Sequence, residues 1–330
     1  MSDQSAGHKF TQEELIEMIS TYLAPSRVPK KFSVFTDTSN FFGVDFDDVV
    51  ILAGRPYLIR HCEREGRFTI EEQPKFWVKR AIDLMDGSKK VIKMVFHEKF
   101  TAEVAGLTFE CVRSPKKEAR ILDMVKGHPK FMQGFSVKDS AGNIIRIIDY
   151  IPGCTIADRI MKQAKGHEEY YYDNFPDIFN EFIKLVEAIK FLHDNGEKHG
   201  DIRRDHIIYS RNDGIYRWID FDFNYWHQEN MFSYDIFGLG NVLIYLAGQG
   251  DVTDWQLNED SPEILETLCK DDMNIVFRHR VAKLQKVYPY ITEPLAFVLG
   301  HFSIGADIIY DDTGEFLDDL YEARENLIEG

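Results

Sequence analysis

The chain lacks the features of disulfide-rich, secreted and membrane-spanning proteins. Its four cysteines are widely separated and include no C-x-x-C pair, which favours reduced thiols over disulfides or a zinc site. The amino-terminal segment has no basic start followed by an apolar run. The sequence contains no run of about 18 consecutive apolar residues, the length that a membrane-spanning helix needs. We therefore expect a cytoplasmic protein with no signal peptide and no membrane span.

Positive charge is also scarce. The 39 lysines and arginines are outnumbered by 55 aspartates and glutamates, so the formal net charge is −16 and the pI is near 5.1. Proteins that grip nucleic acid or an anionic membrane need clustered positive charge, so neither is an expected partner. The contents of 44% hydrophobic and 28% charged residues are those of an ordinary globular protein.

The hydrophobic pattern changes twice along the chain and predicts an α+β protein. Residues 1–48 are expected to form an extension whose amphipathic helix, over 11–24, begins with a capping box of Thr11 and Glu14. Residues 49–151 alternate strand-like runs with turn signals and contain one helix, over 115–126, that starts after Ser114. After Pro152-Gly153 the pattern becomes mainly helical to residue 330, with apolar residues every three to four positions over 178–192.

The most specific motif lies in this helical part. His199-Gly200-Asp201 opens a polar segment that ends at His206, and Asp220-Phe221-Asp222 follows a short apolar strand nineteen residues after Asp201. The pair resembles the H-x-D-x-x-x-x-N and D-F-G motifs of protein-kinase-like phosphotransferases, which include bacterial serine/threonine-kinase-like proteins and the aminoglycoside and lipopolysaccharide-sugar kinases. The resemblance implies the bilobal protein-kinase-like fold, with a strand-rich N-lobe and a helical C-lobe.

The resemblance assigns roles to four of these residues. Asp201 is the expected catalytic base for a hydroxyl acceptor, and Asp220 the ligand of the Mg²⁺ that accompanies ATP. His206 stands where the family has the second metal-binding Asn; it is either a ligand better suited to Mn²⁺ or a packing residue. Asp222 stands where protein kinases have Gly and is either a further metal ligand or a solvated loop acid. These two departures leave the metal stoichiometry open.

The first part of the chain resembles the family less closely. Lys93, a single charge on an apolar strand, resembles the lysine that contacts the α- and β-phosphates of ATP, and Glu118 is its expected partner on the following helix. Asp149 and Ile151 lie where the family's hinge offers backbone groups to adenine. A glycine-rich phosphate loop is missing, since residues 63–68 contain one glycine and two arginines.

Together these residues predict an ATP-dependent phosphotransferase that uses Mg²⁺ or Mn²⁺. Arg203, beside Asp201, either stabilises the transferred phosphate or forms a salt bridge with Asp205. Asp235 follows Asp220 by only fifteen residues, which leaves no room for the long peptide-docking segment of typical protein kinases. The acceptor is therefore a hydroxyl on a small molecule, a glycan or a protein. The alternative is a pseudokinase that binds a nucleotide or a partner without catalysis.

Overall fold

The structure is a computed structural model that describes residues 10–65, 73–104, 106–163, 166–226 and 231–328. The chain is an α+β protein. Its strands are β1 Val34–Phe35, β2 Val49–Leu52, β3 Arg55–Glu65, β4 Gln73–Asp83, β5 Lys89–Lys93, β6 Lys99–Val104, β7 Leu107–Arg113, β8 Gly134–Lys138, β9 Ile144–Asp149, β10 Gly153–Thr155, β11 Ile207–Ser210, β12 Tyr216–Trp218 and β13 Phe223–Trp226.

The helices are concentrated in the second half of the chain. They are α1 Gln12–Tyr22, α2 Pro115–Met124, α3 Ile156–Met161, α4 His167–Asp173, α5 Phe175–Asp194, α6 Ser233–Ala247, α7 Asp254–Asp260, α8 Pro262–Leu265, α9 Glu293–Gly300 and α10 Thr313–Ile328. Among the described residues, no helix is both long and apolar enough to cross a membrane.

The chain divides into two compact units. The first contains Met1–His97, Ser114–Gly127 and Met132–Ile151, and the second contains Glu98–Arg113, His128–Phe131 and Pro152–Gly330. The β6–β7 hairpin therefore belongs to the second unit, although its sequence lies between two segments of the first. The three-part division at residues 48 and 151 stays a prediction.

The first unit is built on a seven-stranded sheet in the order β1-β2-β3-β4-β5-β9-β8, antiparallel except for the β1–β2 pair. Because side chains alternate along a strand, neighbours such as Val49 and Val50 face opposite sides of the sheet and belong to different core clusters. Leu15 and Ile19 of α1 join the cluster of Val49. The predicted capping box of α1 is confirmed, and β4 and β5 pair as an antiparallel hairpin.

The second unit surrounds two long buried helices. The apolar stripe predicted over 178–192 lies in α5 and is buried, and α6 is buried along most of its length. Gly240 of α6 permits a close approach, since a Cβ atom there would lie 2.2 Å from the ring of Phe302. Two small three-stranded sheets complete this unit, in the orders β10-β11-β12 and β13-β7-β6. All four cysteines are free thiols, as the sequence predicted.

A histidine at the start of α4 packs against tyrosine rings and a backbone carbonyl. His167 Nε2 donates to the carbonyl of Ala247 and its Nδ1 accepts from the Tyr290 hydroxyl, both at 2.8 Å, and the ring stacks on Tyr288. Burial lowers the pKa of His167 below its ordinary value. With a proton added at Nδ1, the ring would donate to the Tyr290 hydroxyl oxygen.

Candidate active site

Strand pairing brings the two halves of the sequence motif together within the second unit. In the antiparallel pair β11–β12, Ile207 lies opposite Trp218. The residue before β11, His206, therefore lies beside the residue after β12, and the Ile219 N–H donates to the His206 carbonyl at 3.0 Å. This register places the segment 199–206 next to Asp220.

A buried carboxylate fixes the beginning of this segment. Asp235, near the start of α6, accepts the backbone N–H of His199 at 2.7 Å and that of Gly200 at 2.8 Å. It also accepts from His193 Nε2 at 3.1 Å. Gly200 has φ of 88°, a left-handed conformation that glycine adopts without steric strain. Asp235 thus braces the loop that carries Asp201.

His206 lies between two carboxylates of the motif. Its Nδ1 is 2.8 Å from the backbone carbonyl of Asp201 and 3.6 Å from Asp201 Oδ2, while its Nε2 is 3.7 Å from Asp220 Oδ2. A carbonyl oxygen only accepts, so Nδ1 carries a proton. When the ring is neutral, its Nε2 lone pair faces the Asp220 carboxylate. Such a geometry is suited to a cation between Nε2 and Oδ2, either a proton or a metal ion.

Asp220 has an unusual backbone conformation. Its φ is 63°, in the left-handed region that residues other than glycine seldom occupy, aspartate and asparagine being among the commoner exceptions. A residue is kept there only where the surrounding structure demands it, and such residues cluster at functional sites. The turn directs the Asp220 side chain towards His206.

Asp222 is buried and ion-paired. Its Oδ2 is 2.6 Å from Nη1 of Arg113, at the end of β7, and both side chains are almost fully buried. A carboxylate oxygen of Asp222 also lies within 4.8 Å of one of Asp220. Asp222 is therefore not the solvated loop acid that the sequence left as an alternative. Its role as a metal ligand stays a prediction.

The arginines beside Asp201 form ion pairs with acids. Arg203 binds Asp205, with Nε 3.0 Å from Oδ1, and Arg204 binds Asp251 at 2.8 Å. Burial alone would raise the pKa of Asp205, but the hydrogen bond and charge of Arg203, with the charge of His206, bring it below its ordinary value. The salt bridge that the sequence offered as one reading of Arg203 is present; a contact with phosphate stays a prediction.

In the first unit, Lys93 and Glu118 meet as predicted. Lys93 Nζ is 2.7 Å from Glu118 Oε1, and both side chains are buried. Arg146, which lies opposite Lys93 in the β5–β9 pair, binds the other oxygen of Glu118 at 3.0 Å. Sequence reasoning missed Arg146, although a single charge within Ile144-Ile145-Arg146-Ile147-Ile148 is the same signal that identified Lys93.

The remaining predicted positions lie at the end of β9 and in the phosphate-loop candidate. The Asp149 N–H donates to the Gln133 carbonyl, and its carboxylate pairs with Lys90 at 2.5 Å. Ile151 is partly buried at the end of the first unit. Contacts of Asp149 and Ile151 with adenine stay predictions. Residues 66–68 of the phosphate-loop candidate lie outside the described residues.

Comparison with known proteins finds kinases of similar sequence. A putative ribosomal protein S6 kinase alpha-2 of Caenorhabditis elegans is 28% identical over 223 residues, covering 66% of this chain. A CDPK-related kinase 4 of Arabidopsis thaliana is 25% identical over 147 residues, covering 44% of this chain. The chain is similar in sequence to these two kinases. It spans about a quarter of each relative, 24% and 23% of their lengths.

Two further comparisons concern family models and solved structures. No protein-family model matches the chain. The solved kinase domain of Mycobacterium tuberculosis PknI, in a mutant form, is 13% identical, with a TM-score of 0.46 over 81% of this chain and 95% of that domain.

Proposed function

We propose that the chain is an ATP-dependent phosphotransferase that moves the γ-phosphate to a hydroxyl group. The kinases among its relatives, one of them named as a serine/threonine-protein kinase, support this activity. The observation that carries the proposal is the cluster of Asp201, His206 and Asp220, in which one imidazole lies within 3.7 Å of both carboxylates.

Asp201 is the proposed catalytic base. Its loop is held by the Asp235 hydrogen bonds and by the His206 contact with its backbone carbonyl, so the carboxylate is oriented before the substrate arrives. A carboxylate in this position accepts the hydroxyl proton as the phosphoryl group is transferred. Preorganisation of this kind is what a phosphoryl-transfer site requires of the protein.

The residues around Asp220 fit a divalent cation. Two carboxylates with oxygens within 4.8 Å of each other, Asp220 and Asp222, provide the hard oxygen ligands that Mg²⁺ prefers. On the other side of Asp220, the Nε2 atom of His206 adds a nitrogen donor better matched to Mn²⁺. A bound ion would neutralise charge on the β- and γ-phosphates of ATP. We propose Asp220 as the principal ligand, with His206 and Asp222 as further ligands.

Lys93 is the proposed contact for the α- and β-phosphates. Glu118 holds the lysine side chain in one direction, and Arg146 holds Glu118 from the other side. Arg203 is proposed to stabilise the transferred phosphate from its position beside Asp201. Asp149 and Ile151 are proposed to bind adenine through backbone groups.

The acceptor is proposed to be a hydroxyl on a small molecule, a glycan or a protein. Asp235 follows Asp220 by fifteen residues, and four of the residues between them form β13, which pairs with β7. This leaves little chain for a peptide-docking segment, which favours small-molecule or glycan acceptors. The four free thiols support the proposal of a reducing, cytoplasmic location.

The test is phosphate transfer from γ-labelled ATP, with Mg²⁺ or Mn²⁺, to a panel of sugars, aminoglycosides, glycans and proteins. We expect transfer by the wild type and by Asp260→Asn, which changes an exposed acid of α7. Asp201→Asn and Asp220→Asn should each abolish it.

A pseudokinase would give a different result. The ion pair of Asp222 with Arg113 and the substitution of His206 for the family's Asn are the observations that favour it. Stabilisation against heat by ATP and metal, without transfer to any acceptor or to the protein itself, would support that alternative.

A further inference from the structure

The β6–β7 hairpin ties down the segment that follows Asp222. Strand β7 pairs with β13 over four residues, from Phe223 opposite Arg113 to Trp226 opposite Glu110. Aromatic contacts reinforce the pairing, since Phe100 packs against Phe223 and Phe109 against Tyr225. The chain just after the Asp220 turn is therefore a strand of a small sheet, fixed by backbone hydrogen bonds.

Arg113 connects this sheet to the Asp220 turn. Its Nη1 donates to Asp222 Oδ2 at 2.6 Å, its Nη2 is 3.1 Å from Glu98 Oε2, and its guanidinium lies over the Phe223 ring at 4.1 Å. Burial alone would lower the pKa of Arg113, but the charges of Asp222 and Asp220 outweigh it and raise the pKa above its ordinary value. The guanidinium thus interacts with both acids of the turn.

The position of Asp222 gives this contact a consequence for Asp220. Asp222 lies two residues after Asp220, whose backbone is in the sparsely populated left-handed region. A sparsely populated backbone conformation persists where the surrounding structure fixes it, and here contacts hold the chain before and after Asp220. On one side, the Ile219 N–H is bound to His206; on the other, Asp222 is bound to Arg113.

We propose that Arg113 is a positioning residue of the phosphoryl-transfer site, which holds Asp222 and so fixes the turn that directs Asp220 towards the metal ion. The inference rests on the proposed function and adds to it a part played by the β6–β7 hairpin. In metal sites, residues that orient the ligands affect metal affinity or activity by about 10- to 100-fold.

The test measures Mn²⁺ binding by electron paramagnetic resonance, in the presence of a non-hydrolysable ATP analogue, alongside phosphate transfer. We expect Arg113→Met to weaken Mn²⁺ binding by about 10- to 100-fold. Loss of the cation alone would make the turn more negative and tighten binding, so unchanged or tighter binding overturns the proposal. Lys99→Met, at an exposed position of the same hairpin, is the matched control and should bind Mn²⁺ like the wild type.

A double-mutant comparison separates positioning from general stability. If Arg113 acts through Asp222, adding Arg113→Met to Asp222→Ala should weaken Mn²⁺ binding by no more than about twofold further. If the double mutant instead loses Mn²⁺ affinity by the product of the two single-mutant factors, Arg113 does not act through Asp222 and the proposal is overturned. If heat denaturation shows that Arg113→Met does not fold, Arg113→Lys takes its place. We expect Arg113→Lys to lose Mn²⁺ affinity by a smaller factor. An affinity equal to that of the wild type would refute the positioning role.

The two proposals fail differently. If the wild type transfers phosphate and Arg113→Met binds Mn²⁺ as tightly as the wild type, only the proposed role of Arg113 is overturned. A wild type that neither binds Mn²⁺ with nucleotide nor transfers phosphate would overturn the proposed function, and the role of Arg113 with it.

Discussion

Replacing Glu118 by Gln tests the buried charge cluster of the first unit. Glu118 is fully buried and binds Lys93 at 2.7 Å and Arg146 at 3.0 Å. These three side chains together carry a formal charge of +1. Glu118→Gln raises it to +2 with two buried cations close together, whereas Lys93→Met lowers it to zero and keeps the pair of Glu118 with Arg146.

The two variants should therefore differ in stability. Removing one partner of a buried ion pair destabilises a protein by about 3–5 kcal/mol, because it leaves a buried charge uncompensated. Lys93→Met removes a hydrogen bond between charged groups, a loss of about 1.5–3 kcal/mol, and it also removes the desolvation penalty of the lysine. We expect Glu118→Gln to be the more destabilising by about 1.5 kcal/mol, the difference between the lower ends of these two ranges and roughly a tenfold change in the unfolding equilibrium.

Urea denaturation followed by circular dichroism measures this difference as a change in the free energy of unfolding. Lys89→Met, at an exposed position of the same strand, is the control and should change the free energy of unfolding by less than about 0.5 kcal/mol. A Glu118→Gln variant no less stable than Lys93→Met would refute the charge argument.

Three other predictions concern packing, pH and thiol reactivity. Gly240→Ala should destabilise the protein by about 1–3 kcal/mol in urea because its Cβ would overlap a phenylalanine ring, whereas Gly300→Ala, with open space around it, should be neutral or stabilise by up to about 1 kcal/mol. The pKa of His167 is lowered in the folded protein, so as the pH falls the unfolded chain binds a proton first. Its contribution to the free energy of unfolding is therefore present above about pH 6.5 and is lost below that pH, by no more than about 1.4 kcal/mol per pH unit. In denaturation experiments from pH 7 to 5, the free energy of unfolding of His167→Gln should fall less steeply with pH than that of the wild type, and equal slopes would contradict this. Iodoacetamide at neutral pH should label the exposed Cys269 in the native protein, whereas Cys111 should react only after unfolding. Burial and a nearby carboxylate raise the pKa of Cys111 to about 11, so its thiol is protonated at neutral pH. Labelling of both cysteines in the native protein, detected by peptide mass spectrometry, would contradict this.

Local patterns predicted the elements that depend on local chemistry. The capping box of Thr11 and Glu14, the turn between β4 and β5 and the buried stripe of α5 all follow from residue spacing within one element. Lys93 and Glu118 were also predictable, because a charge on a buried strand needs a partner. The same reasoning applied to Arg146 would have completed the cluster.

Long-range pairings could not be predicted in this way. The alternation of β6 and β7 is visible in their sequences, but nothing local shows that β7 pairs with β13, more than 100 residues away. The ion pair of Arg113 with Asp222 depends on that pairing. Likewise, the position of His206 between Asp201 and Asp220 depends on the register of β11 and β12, which sequence spacing does not determine.

The most direct test of the proposed activity is the rate of phosphate transfer from γ-labelled ATP by the wild type and by Asp201→Asn. We predict metal-dependent transfer by the wild type and a rate about 10²- to 10⁴-fold lower for the variant, since a general base contributes a factor of that size. Equal rates for the two proteins, or no transfer by a folded wild type to any acceptor, would contradict it.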